Sequence, residues 1–140
     1  MGRVLGAFMS EDLGKLVARL SVGGLLLFHG IHKLLTGIAP IKQMLAGHHL
    51  PEAFSYGAYF GEIVGPVLII LGLFSRLGGA LVAFNMVVAI YLVGAPHLLA
   101  LGPQGGYALE LEMFYLLGGL TVALLGAGRL SVGGQHGPLN

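Results

Sequence analysis

The residues best placed to do chemistry stand in Ser21 to Lys33, SVGGLLLFHGIHK, where an apolar run ends in three titratable side chains. His29 and Lys33 are four residues apart and His29 and His32 three apart, so on a helix they crowd one side. A histidine near neutrality beside an ammonium can hydrogen-bond an oxygen ligand and hand on protons. Acidic partners are few. Glu62, Glu110 and Glu112 lie in later apolar stretches, and Asn85 adds a neutral amide. A carboxylate made more basic by burial, set against a histidine, is what proton transfer needs. The same groups could instead form a satisfied buried ion pair that only pins helix register.

Composition says where these groups lie. The chain has 140 residues, 56% of them hydrophobic and only 9% charged, with a mean hydropathy of +0.88. Soluble domains carry roughly 25% charged residues, so this chain could not cover a water-facing surface. Four apolar segments, about 13–35, 55–74, 77–95 and 107–126, each approach the ~20 residues that cross a ~30 Å hydrocarbon core. The expected fold is therefore all-α: a polytopic membrane protein, an antiparallel four-transmembrane-helix bundle, with residues 1–140 as one membrane domain. Ionisable groups inside a bilayer are expensive, which makes them functional candidates by default.

Several classes drop out. A net charge of +1 offers no basic face for nucleic acid. The absence of cysteine removes disulfide exchange, thiolate ligation and cysteine nucleophiles. No haem, flavin or iron–sulfur motif is visible. His29, His32 and a glutamate could ligate a metal, but that set is too common to assign one, and no metal site is expected. Glu11 and Asp12 precede the first segment and no small-x-small site follows it, so it reads as a span rather than a signal peptide.

Arg3, Lys15, Arg19, Arg76 and Arg129 fall on one side of the predicted topology, and Lys33 and Lys42 on the other. That bias places both termini in the cytoplasm. His29, His32 and Lys33 then lie near the outer side, with Glu62 within about 12 Å of the outer end of its helix. Glu110 and Glu112 open the last helix, so all are expected to converge in the outer half. Asn85 lies somewhat deeper, and Arg19 stands apart toward the cytoplasm. Glu110 and Glu112 are about 200° apart around a helix. Glu112 shares its face with Gly119, Ala123 and Gly126, and packing prefers it inward; Glu110 shares one with Phe114, Leu117 and Thr121.

Smaller features complete the layout. Residues 1–12 read as a polar lead-in whose Ser10-Glu11-Asp12 caps the first helix. Ile41, Met44 and Leu45 suggest a short interfacial helix, and His48 and His49 a turn. Ser75-Arg76 marks a tight connection between antiparallel neighbours. Gly57, Gly61 and Gly65 form small-xxx-small steps, with Gly78-Gly79 and Gly118-Gly119 as weaker versions. Pro66 should bend its helix and free a carbonyl. The five tyrosines read mainly as an interfacial belt, with Tyr59 or Tyr107 as the alternative pocket residue. The glycine-rich tail 127–140 is expected to fray.

Taken in order, FHGIHK, the turn at Leu50-Pro51, YFGEIVGPVLIILGLFSR, a glutamate opening the fourth helix and GAGRLS resemble the DoxX family of small four-helix membrane proteins, over roughly residues 13–131. The resemblance picks out His29, Lys33, Glu62 and Arg76, and Glu110 counted back from Gly126-Ala127-Gly128-Arg129. It prefers Glu110 where packing prefers Glu112. Where the family often has an acid after the closing serine, Val132 and Gly133 stand here.

The resemblance implies a subunit of a quinone-linked membrane oxidoreductase in a bacterial or archaeal cytoplasmic membrane. His29 and Lys33 would meet a quinone or quinol oxygen, and Glu62 and Glu110 would take or relay protons. The residues' own depth and packing, rather than the resemblance, add His32, Asn85 and Glu112 to the ligand-binding set. Membrane lipid and partner oxidoreductase subunits follow as partners, electrons having to come from another protein. Copy number, a homo-oligomer included, is left open. The alternatives are a non-catalytic scaffold, assembly or cargo-binding subunit and, third, a carrier of a small solute or protons.

Overall fold

The computed structural model describes all residues, 1–140, and is helical with no strand. Helix α1 runs Gly2–Thr36 and α2 is the short Ala39–Gly47. Helical rods Glu52–Leu71 (α3) and Ser75–His97 (α4) follow, and Glu110–Leu125 (α5) closes the set. Rods α1, α3 and α4, with 35, 20 and 23 residues, are long and apolar enough to cross a membrane. The fourth rod is shorter than expected. Its 16 residues reach about 24 Å, because residues 107–109 belong to a loop closed by the Leu101–Tyr107 bridge.

The rods form a ring in which α1 packs on α3, α3 on α4, α4 on α5 and α5 back on α1. Contacting pairs run in opposite order along every neighbour: Arg19 meets Ile69 while Lys33 meets Glu62. Neighbouring rods are therefore antiparallel. Leu26, Ile69, Val82, Met86 and Val122 fill the centre. Small residues let backbones close around it. A methyl at Gly79 would lie 2.5 Å from the Gly119 carbonyl, and one at Gly78 2.9 Å from that of Gly65. Gly57, by contrast, faces open space. The turn into α4 uses left-handed backbone at Gly72 and Phe74, with φ of 73° and 47°. Helix α2 falls where Ile41, Met44 and Leu45 predicted it, with Leu45 buried.

Two expectations about the chain ends are corrected. The first helix begins at Gly2, so Ser10-Glu11-Asp12 does not cap it. Asp12 lies mid-helix and accepts the Arg129 backbone N–H at 3.0 Å. The tail does not fray either. Val132 N–H donates to the Leu71 carbonyl and Gly133 N–H to that of Gly72, at 2.9 and 3.1 Å. The Asn140 amide donates to the Gly72 and Gly134 carbonyls at 2.7 and 2.8 Å. Arg76 reaches the Ala123 and Leu124 carbonyls at 2.9 and 2.6 Å, satisfying the free end of α5.

Arg19 explains why the tail holds. It is fully buried, yet no carboxylate meets it. Its guanidinium donates to the Ile69, Ile70, Ala127 and Leu130 carbonyls at 2.8–3.0 Å. Ile69 and Ile70 belong to the last turn of α3, where the helix presents partial negative charge. Five fixed N–H groups in a plane suit this task better than an ammonium. Arg19→Ala should leave four carbonyls short of a donor, each costing about 1–3 kcal/mol when buried. The expected outcome is a marked fall in the chemical-unfolding midpoint in micelles, only partly restored by Arg19→Lys. An unchanged midpoint would show that water replaces the guanidinium.

Candidate functional site

Glu62 lies where α3 leaves regular α-helical geometry. Pro66 has no N–H to give the carbonyl four residues back, that of Glu62. The rod relaxes into a π-turn over Phe60–Val64, in which the Gly65 N–H reaches the Phe60 carbonyl. Such turns recur at functional sites. Here the turn buries the Glu62 side chain between α1 and α4 rather than turning it to lipid.

Two neighbours meet the carboxylate. The Lys33 ammonium of α1 donates to one oxygen, and the Asn85 amide of α4 donates to the other at 3.2 Å. The Lys33 side chain keeps 25% of its surface, against 9% for Glu62, so the pair opens on the lysine side. The Tyr59 hydroxyl donates to the Lys33 carbonyl at 3.4 Å. Tyr107 instead closes its own loop on the Leu98 carbonyl at 2.6 Å.

Of the residues singled out in the sequence, the structure brings Lys33, Glu62 and Asn85 together. His29 is exposed one turn away, its ring edge-on to Tyr115 at 6.0 Å. Tyr115 is a core-packing residue rather than a belt residue. His32 is exposed. The seam of α1 that faces the bundle is Arg19, Gly23, Leu26 and Gly30, and helical spacing adds Lys33. His32, two residues from Gly30, points almost the opposite way.

The expected convergence of Glu110 and Glu112 on this centre is corrected. The α1–α5 register, with Val22 against Gly118 and His29 against Tyr115, does put Glu112 near the depth of Lys33. Azimuth is what fails. Glu110 shares an outward face with exposed Phe114, Leu117 and Thr121, and borders a recess of about 270 Å³ formed with the Gly102–Ala108 loop. Glu112 is half-buried. Neither carboxylate makes a hydrogen bond or ion pair with Lys33, and no three His, Asp or Glu side chains gather as a metal site.

Reading by residue type missed the seam. The 4-3-4-3 spacing of Arg19, Gly23, Leu26, Gly30 and Lys33 would have separated Lys33 from the histidines beside it. The geometry makes unequal demands on the pair. Removing one partner of a buried pair costs about 3–5 kcal/mol. Lys33→Met, which strands the buried carboxylate, should reach that range, and Glu62→Gln, which leaves a part-hydrated ammonium, roughly half of it. The double variant should be less destabilised than the sum, read by unfolding in micelles. Strict additivity would mean the two do not interact.

The DoxX family model matches residues 14–95, the stretch that holds Arg19, Lys33, Glu62 and Asn85. A Bacillus subtilis (strain 168) protein named "Putative oxidoreductase CatD" is 29% identical over 123 residues, covering 88% of this chain and 87% of that one. No solved structure matches the chain. With more than half of its length under the family model, and the buried ion pair inside that stretch, the chain belongs to the DoxX family.

Proposed function

We propose that this DoxX protein is an integral membrane subunit associated with a quinone-linked oxidoreductase, with Lys33, Glu62 and Asn85 as its polar centre. The observation that carries the reading is a buried carboxylate held from two other helices beside a lysine that keeps unused donors. An ammonium has three protons, and Glu62 takes one. The exposed His29 one turn away makes no hydrogen bond within the chain and offers a second polar edge.

These residues fit a quinone. Its two carbonyl oxygens need donors, and Lys33 and His29 are donors at the margin of an otherwise apolar bundle. When bound, a quinone supplies electron acceptance coupled to proton uptake at those oxygens. Lys33 would hold and polarise an oxygen, Asn85 would keep the carboxylate oriented, and Glu62 would exchange a proton through its pairing with Lys33. Glu110, outside this centre, has no part in it. The relative named an oxidoreductase supports the class of reaction. Lysine and arginine placement supports a centre in the outer half, with both termini cytoplasmic. Electrons would come from a partner subunit.

A scaffold reading is favoured by one observation: each Glu62 oxygen already has a donor inside the chain. The two readings part on Glu62→Gln. In the first, quinone-linked turnover per molecule of accumulated protein in native membranes falls roughly 10²-fold, the usual scale of a lost proton-transfer group, well beyond the fall in abundance that the lost ion pair brings. Turnover that falls only in step with abundance would leave a scaffold.

A further inference from the structure

Helix α3 carries glycine at every fourth position from Gly57 to Gly65, on one face. The three do different things. A methyl built at Gly57 meets nothing. One at Gly65 lies 3.1 Å from the Gly78 carbonyl, a tight approach of two rod backbones. One at Gly61 would overlap the Asn85 side chain itself, at Cβ and Cγ, and come within 2.7 Å of its Oδ1. Across the bundle, a methyl at Gly30 would overlap the Glu62 carbonyl and press on Ile63 Cγ1 at 2.6 Å.

We infer that Gly61 and Gly30 are positioning residues that set the two hydrogen bonds on the Glu62 carboxylate, Gly61 through Asn85 and Gly30 through Lys33. The Asn85 amide lies against the bare Cα of Gly61 with Oδ1 toward the glycine, which leaves Nδ2 to face the Glu62 carboxylate. A carboxylate accepts only, so this orientation is the one that works. Any side chain at position 61 takes the space the amide occupies and pushes the donor off. Gly30 acts at larger scale. Lys33 stands one turn beyond it on the same seam of α1, so a Cβ at position 30 props α1 off the Glu62 backbone and draws the ammonium back. The polar centre is thus built from absent side chains as much as from present ones.

This inference deepens the proposed reading of the site, and its readout does not depend on turnover. The carboxylate stretch of Glu62 in isotope-edited infrared spectra, identified by its loss in Glu62→Gln, reports which donors touch it. Lys33 from α1 is the titratable group that meets Glu62, with the neutral Asn85 amide from α4; Tyr59 on its own rod bonds the Lys33 carbonyl, and the next ionisable side chains are Tyr115 on α5 and His29 on α1, in contact with each other. Spectra are therefore compared at one pH.

Gly61→Ala should move the band to where Asn85→Ala puts it, and adding Asn85→Ala to Gly61→Ala should move it no further. Gly30→Ala should reproduce the band of Lys33→Met. Gly57→Ala should leave both band and abundance unchanged. Gly65→Ala should lower abundance through packing yet leave the band of the surviving protein in place. A Gly61→Ala band at the wild-type position overturns the inference, as does a Gly57→Ala shift of equal size. If Gly30→Ala fails to accumulate, the Gly61 and Asn85 single and double variants still decide. A band that moves as expected while turnover persists would sink the catalytic reading and leave the positioning roles standing.

Discussion

A carboxylate inside an apolar bundle is tolerable only if its charge is met there, and the ring of rods is arranged around meeting that of Glu62. Even lenient insertion scales penalise such a group by about 2.5–3.5 kcal/mol at the centre of a membrane helix. Lys33 supplies opposite charge from α1 and Asn85 a neutral donor from α4, so one side chain of α3 fixes its position against both neighbours. Register follows from this. Sliding α1 by one residue turns its seam by about 100° and takes Lys33 off the carboxylate. The π-turn before Pro66 serves the same end by burying Glu62 at the contact.

The opposite end of α1 solves a similar problem by other means. Arg19 lies fourteen residues before Lys33 on the same seam, about 21 Å away along the axis. No acid meets it. Backbone carbonyls from the end of α3 and from Ala127 and Leu130 take its protons. The cation and the carbonyls each satisfy what the other lacks, and the segment after α5 is thereby folded onto the bundle. Asn140 and Arg76 extend the same economy to the α3–α4 turn and the end of α5. One end of the bundle is consequently tied by many direction-fixed bonds. The other is held by one ion pair with a partly exposed lysine, supported by the Asn85 and Tyr59 hydrogen bonds.

Much of this was legible in the sequence because the governing effects are local or periodic. Apolar runs gave the rods, Ser75-Arg76 the tight turn, and Ile41, Met44 and Leu45 the short α2 helix. The pairing of Glu62 with Lys33 could be expected because few cations share its depth. What could not be read depends on azimuth and on partners far apart in sequence. Glu110 and Glu112 are at a suitable depth but on faces that periodicity alone could not rank against α1. The carbonyls that satisfy Arg19 have no side-chain signature, and a glycine-rich tail looks frayed until its backbone partners are known. Gly57, Gly61 and Gly65 read as one repeating motif, yet only the structure separates the idle position from the packing one and from the one under Asn85.

The asymmetry of the pair bears on whether it does chemistry. If stability alone were at stake, apolar residues of similar volume would serve as well or better, since replacing a buried pair is often neutral or stabilising by about 1–4 kcal/mol. A pair kept only for register would also gain from being closed on both sides. Here the acceptor is enclosed while the donor is a quarter exposed and has protons to spare. On the proposed reading, that arrangement lets an oxygen ligand approach Lys33 without first separating it from Glu62, so binding need not begin by stranding a carboxylate in the bundle. The ligand then competes for the direction of the ammonium rather than for its charge, and a change in charge on that oxygen is felt at once by Glu62 through the shared lysine. On that reading the ligand and the carboxylate are linked through one lysine, the kind of connection a proton-linked redox subunit would use.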